Sequence, residues 1–116
     1  MATHELEASV RDRDGVAIID LAGDIGSSAE AVLDGAYAQA TRTAVGSVVL
    51  NFEGTEYINS TGIALIVGLL AQAREDRLNV GAFGLSDHYR EIFEITRLSD
   101  FMTITDNEAA AVSHDA

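Results

Sequence analysis

Short, nearly continuous apolar runs alternate along this chain with longer segments in which apolar residues recur every three or four positions. No other feature constrains the fold as much. A run of this kind reads as a strand buried on both faces, and such strands need helices to cover them. Val16-Ala17-Ile18-Ile19-Asp20-Leu21 follows the turn signal Asp14-Gly15 and reads as a buried strand. Leu6 to Val10 is expected to pair with it as a hairpin through Arg11 to Gly15. Ser27 or Ser28 is placed to cap a helix running to about Arg42, with Ala29, Val32, Leu33, Ala36 and Ala40 at helical spacing. After the break at Gly46, Ser47-Val48-Val49-Leu50-Asn51-Phe52 is the clearest strand in the chain.

A loop carrying Gly54 leads through Ile58 to Asn59-Ser60-Thr61-Gly62, a cluster of capping residues directly before Ile63-Ala64-Leu65-Ile66-Val67-Gly68-Leu69-Leu70-Ala71. Ile63, Ile66, Val67 and Leu70 fall at i, i+3, i+4 and i+7 and are predicted to face inward. Leu65 and Leu69 point elsewhere, so the helix is either largely buried or offers an apolar patch to a partner. Asn79 to Leu85 reads as a strand. Ser86 then caps a helix with Tyr89, Ile92, Phe93 and Thr96 inward, Met102-Thr103-Ile104 is a short last strand, and a final helix from Glu108 is expected to fray over Ser113 to Ala116. The sum is an α/β fold with a largely parallel sheet and an antiparallel strand at its start.

Composition removes several kinds of chemistry. The 116 residues include no cysteine, which excludes a disulfide framework, a zinc ribbon, an iron–sulfur site and a catalytic thiol. All seven basic residues are arginine, and without lysine there is neither a Walker-type phosphate loop nor Schiff-base chemistry. His4, His88 and His114 have no metal-ligand spacing, and Asp87-His88 are adjacent on a helix and point apart, which disfavours a triad. Glu53 and Glu56 flank a turn and read as solvated carboxylates. No catalytic residue, metal or cofactor is therefore expected. Nineteen acidic residues against seven basic give a net charge of −12, which repels nucleic acid and anionic membranes. The start lacks the charged and apolar regions of a signal peptide, and the longest apolar run is half the roughly 20 residues a membrane helix needs. The cytoplasm is the expected location, and residues 1–116 are expected to form one domain that buries about two-thirds of its unfolded surface.

The Asn59–Gly62 segment supports two readings. In the plainer one, Asn59 or Ser60 is an N-cap worth about 1 kcal/mol. In the other, a hydroxyl at a helix N-terminus sits where partly positive N–H groups converge, so a phosphate there is tolerated by the helix while it repels whatever docks beside it. The motifs that carry a family resemblance are Val48-Val49-Leu50-Asn51-Phe52, six further residues, then Asn59-Ser60-Thr61-Gly62-Ile63; Leu21-Ala22-Gly23-Asp24-Ile25; and Ile92-Phe93-Glu94-Ile95-Thr96-Arg97-Leu98. In that order and spacing the chain resembles the STAS domain of bacterial anti-sigma factor antagonists over nearly its whole length.

The resemblance implies a STAS-like domain with a mixed, mostly parallel sheet of four to five strands and about four helices. It also implies a non-enzymatic regulator, a monomer or weak dimer, that binds an anti-sigma factor, often a serine kinase, and frees a sigma factor. The kinase's phosphorylation site falls on Ser60, with Thr61 as the fallback acceptor, and a PP2C-type phosphatase reverses the modification. The expected partner-binding residues are Asp24, Asn59, Ser60, Thr61, Gly62, Leu65 and Leu69. Three positions depart from the family pattern: Asn59 replaces an aspartate, Gly26 replaces a second aspartate, and Arg97 replaces a glycine. Loss of two carboxylates near Ser60 leaves open a scaffold that binds without phosphorylation, or a small-ligand or nucleotide-binding signalling module.

Overall fold

The computed structural model describes residues 5–43 and 46–115, leaving aside the side chains of residues 43, 114 and 115. His4, Ala116 and the His114 side chain fall outside that range; of the segment expected to fray, the backbone is helical as far as Asp115. Nine elements follow in order: β1 (Glu7–Arg13), β2 (Val16–Ala22), α1 (Glu30–Thr43), β3 (Ser47–Gly54), α2 (Ser60–Glu75), β4 (Asn79–Phe83), α3 (Asp87–Ile95), β5 (Thr103–Thr105) and α4 (Glu108–Asp115). The sheet order is β1-β2-β3-β4-β5. β1 is antiparallel to β2, and the remaining three pairings are parallel, as the alternation of runs and periodic segments predicts.

Each strand feeds its side chains alternately to two faces. Ala17, Ile19, Leu21, Val48, Leu50, Phe52, Val80 and Ala82 share one core with α1, α2 and α3. Within it Phe52 meets Phe93 edge-to-face, ring centroids 6.0 Å apart. On the other face Val16, Ile18, Val49 and Phe83 pack under Ala111 and Val112 of α4. This double burial is why the strands read as continuous apolar runs. α4 is further tied down by Glu108, which accepts hydrogen bonds from Arg11 and, at 2.8 Å, from Arg13. Those two guanidiniums hold its carboxyl down at about 2.

Several boundaries and faces differ from expectation. β1 runs on to Arg13, opposite Val16, so the hairpin closes through Asp14 and Gly15 alone, at φ 55° and 84°. A single 3-10 turn, Ser27–Ala29, precedes α1, and the residue before it, Gly26, supplies no side-chain cap. β4 stops at Phe83 because Gly84 turns the chain at φ +86°, and β5 lies one residue later than expected. The buried stripe of α2 is Gly62, Ile66, Leu69, Leu70 and Ala73, whereas Val67 is 45% exposed. α1 occupies the flank on which Leu65 and Leu69 were expected to be open. Leu69 is core and Leu65 is half-buried against it. Thr96 caps the end of α3 and is exposed rather than inward. Arg97 follows at φ 68°, a left-handed conformation that accounts for the glycine common there in the resembled family.

Candidate functional site

The parallel strands all end at one edge of the sheet, and the chain beyond β2 and β3 is zipped together there. Gly23 N donates to Gly54 O at 2.9 Å, Ile25 N to Tyr57 O at 2.9 Å and Asn59 N to Ile25 O at 3.2 Å. Ile25 and Ile58 form a parallel bridge, and both side chains are buried. From α3, the buried Tyr89 hydroxyl accepts the Ile58 N–H at 2.8 Å. The segment leading into α2 is thus held by backbone and side-chain bonds on both sides.

α2 starts as its sequence predicts. Asn59 is extended at φ −88° and ψ −179°, and its Oδ1 accepts the Gly62 N–H at 2.8 Å. Gly62 is buried because the first turn of α2 lies against Ile25; a Cβ there would sit 2.0 Å from the Ile25 carbonyl oxygen. Ser60 and Thr61 behave differently. Both are exposed, and neither hydroxyl bonds to another described residue. They are the first two residues of the helix, so their backbone N–H groups lack intrahelical acceptors and point outward. A hydroxyl at this place can accept a phosphoryl group without loss of any internal bond.

Around these residues lie two shallow, adjoining cavities of about 190 and 320 Å³ that share Glu5 and Asp24. Asn59 and Tyr57 line the smaller, Glu7 and Glu56 the larger. Tyr57 is 56% exposed, although its carbonyl is fixed by Ile25. Nothing in the sequence marks it, since it differs from its buried neighbour Ile58 only by facing outward. Asp24 and Asn59 line one cavity, and Ser60 and Thr61 follow Asn59 at the exposed start of α2. Of the other expected contact residues, Gly62 and Leu69 are buried, and the half-buried Leu65 lines the seam with α1. Among the described residues no group of three histidines, cysteines or carboxylates is placed to hold a metal. No helix among them is long and apolar enough to cross a membrane.

A mixed five-stranded sheet with a capped helix start at its strand ends, whose first two residues expose their hydroxyls, defines a small α/β domain organised around that strand–loop–helix junction. The family model described as Mlab, STAS domain matches residues 8–105, and the chain belongs to the STAS domain family. An anti-sigma-B factor antagonist of Listeria monocytogenes is 37% identical over 71 residues, which is 60% of this chain and 62% of that protein. The match thus spans less than two-thirds of the relative's length. An anti-sigma factor antagonist from Mycobacterium paratuberculosis has a similar fold, with a TM-score of 0.78 at 16% identity over 96% of this chain and 94% of the other. So does the Bacillus cell fate determinant SpoIIAA in its phosphorylated form, with a TM-score of 0.68 at 19% identity over 92% and 97%. By name, two of these relatives are antagonists of anti-sigma factors and the third is a cell fate determinant.

Proposed function

We propose that this chain is a cytoplasmic anti-sigma factor antagonist. It binds an anti-sigma factor that is a serine kinase, through the surface of Asp24, Asn59, Ser60 and Thr61, and so frees a sigma factor. The kinase transfers a phosphoryl group from ATP to the Ser60 hydroxyl, binding ends, and a PP2C-type phosphatase restores it by hydrolysis. The observation that carries this reading is the exposure of the Ser60 hydroxyl, without a hydrogen-bond partner among the described residues, at the first position of α2, beside neighbours already engaged in the fold. A phosphoserine there adds about two negative charges, which the helix N-terminus tolerates. The same charges must be desolvated when a partner docks there. The names of the Listeria and Mycobacterium relatives support the same role.

The test is calorimetric binding to the anti-sigma factor kinases of the native host, each purified as recombinant protein, with wild type, Ser60→Ala and Ser60→Asp. Wild type and Ser60→Ala should bind alike, Ser60→Asp should weaken binding on the order of 100-fold, and mass spectrometry after incubation with ATP should place phosphate on Ser60. If Ser60→Asp binds as tightly as wild type, the phospho-switch is refuted. The scaffold reading, motivated by Asn59 and Gly26 where the family has carboxylates, then takes its place.

A further inference from the structure

Two of the three departures from the family pattern are one feature in space. Asn59 Oδ1 is committed to the Gly62 N–H, which fixes the orientation of the side-chain amide: the opposite flip would set its NH2 against another donor. The Nδ2 group is thereby turned to the side of Gly26, where a Cβ would lie 3.0 Å from it. Among the described residues Nδ2 has no acceptor. Gly26 and Asn59 both line the smaller cavity. Gly26 is not there for backbone freedom, because its φ of −139° and ψ of −159° are extended and open to any residue. What its missing side chain does is leave the Asn59 donor uncovered.

We infer that the Asn59 Nδ2 donor, kept open by Gly26, determines which partner this chain accepts, and that it donates to a neutral carbonyl oxygen, backbone or amide, on the partner. Glu5 and Asp24 line the same cavity and repel a carboxylate, so the acceptor is uncharged. An aspartate at position 59 caps the helix equally well but offers that cavity only acceptor oxygens, and it would leave the partner's carbonyl unpaired. The amide and the glycine thus act as a unit that selects against partners built to meet a carboxylate. This inference rests on the proposed binding role and specifies its chemistry.

Three variants test it against the same purified kinases. Asn59→Asp keeps the cap and removes the donor. Gly26→Ala adds a methyl against Nδ2 with no change of charge or backbone strain, and the double variant joins the two. Each single variant should weaken binding about tenfold, the cost of leaving a buried acceptor unpaired, with melting temperature nearly unchanged. The double variant should lose little more than either single one, because both remove the same hydrogen bond. In nitrogen-15 spectra the Asn59 side-chain amide of the wild type should shift on saturation with kinase. Wild-type affinity in Gly26→Ala overturns the inference, even where Asn59→Asp is weak, since charge alone then accounts for the loss. Losses that multiply in the double variant overturn it as well. A wild-type chain that binds none of the kinases refutes instead the reading on which the inference stands.

Discussion

Replacing Gly62 by alanine isolates the contact that seats α2 on the end of β2. The new Cβ would lie 2.0 Å from the Ile25 carbonyl oxygen, 2.8 Å from its carbon and 3.0 Å from Ile25 Cγ2, so the helix must retreat by about 1 Å to reach even a tight contact. Overpacking on this scale costs about 1–3 kcal/mol. The retreat also strains the 3.2 Å bond from Asn59 N to Ile25 O, worth about 1 kcal/mol. Alanine recovers about 1 kcal/mol of helix propensity. The net loss is about 2 kcal/mol, a fall in Tm of about 8 °C for a domain of this size. Gly68, on the same helix, has no atom within 4 Å of its would-be Cβ, so Gly68→Ala keeps only the propensity gain and should raise Tm by a few degrees. Thermal and urea denaturation followed by circular dichroism reads both. Gly62→Ala melting at or above wild type, or Gly68→Ala falling as far as Gly62→Ala, would refute the close-approach account.

Arg97→Gly should stabilise the chain by about 1 kcal/mol, since it relieves a left-handed residue at φ 68° and gives up only the exposed pair with Asp100; a lower urea midpoint would count against this. Arg11 and Arg13 hold the Glu108 carboxyl at about 2, below its ordinary 4.5, so the pair stabilises the fold above about pH 4.5 and that contribution fades as pH falls toward 2. Glu108→Gln should flatten this part of an acid-unfolding series, leaving the slope due to Asp20, which Arg11 also holds low; an unchanged profile would remove Glu108 from the account. Leu69→Ala should cost about 2–5 kcal/mol and Val67→Ala under about 1 kcal/mol, because Leu69 is core and Val67 is not; the reverse order in chemical denaturation would put α2 in the other rotation.

The alternation of strands and helices along the chain, the antiparallel start and the capping segments before α2 and α3 are readable from the chain because each rests on local chemistry: run length, a turn pair, or a side-chain oxygen three residues before the N–H it accepts. The rotation of α2 is not readable in that way. Ile63, Leu65, Ile66, Val67, Leu69 and Leu70 cover most of its circumference, so two stripes about 100° apart score alike. Only the placement of α1 over Leu69 decides between them. The start of α1 is misread for a related reason. Ser27 and Ser28 are both good caps by type, but the 3-10 turn uses neither side chain as its cap. The contacts that shape the site, Tyr89 to Ile58 across 31 residues and Gly26 to Asn59, join segments far apart in the chain, and no periodicity carries such information.

The tetrapeptide Asn59-Ser60-Thr61-Gly62 divides cleanly once the contacts are known. Two of its residues are required by the fold alone: Asn59 Oδ1 caps α2, and Gly62 is the residue that fits against Ile25 O. A domain with no partner at all would still need a capping oxygen at position 59 and a glycine at position 62, so those two features by themselves say nothing about binding. Ser60 and Thr61 are exposed, make no side-chain bond to another described residue, and contribute to the helix nothing that alanine would not. Stability therefore gives no reason for hydroxyls at these two positions. On the proposed reading, a modification or a docked partner at the open end of α2 gives them a role. The same test separates the nitrogen and the oxygen of the Asn59 side-chain amide: its oxygen caps the helix, and its nitrogen has no acceptor among the described residues.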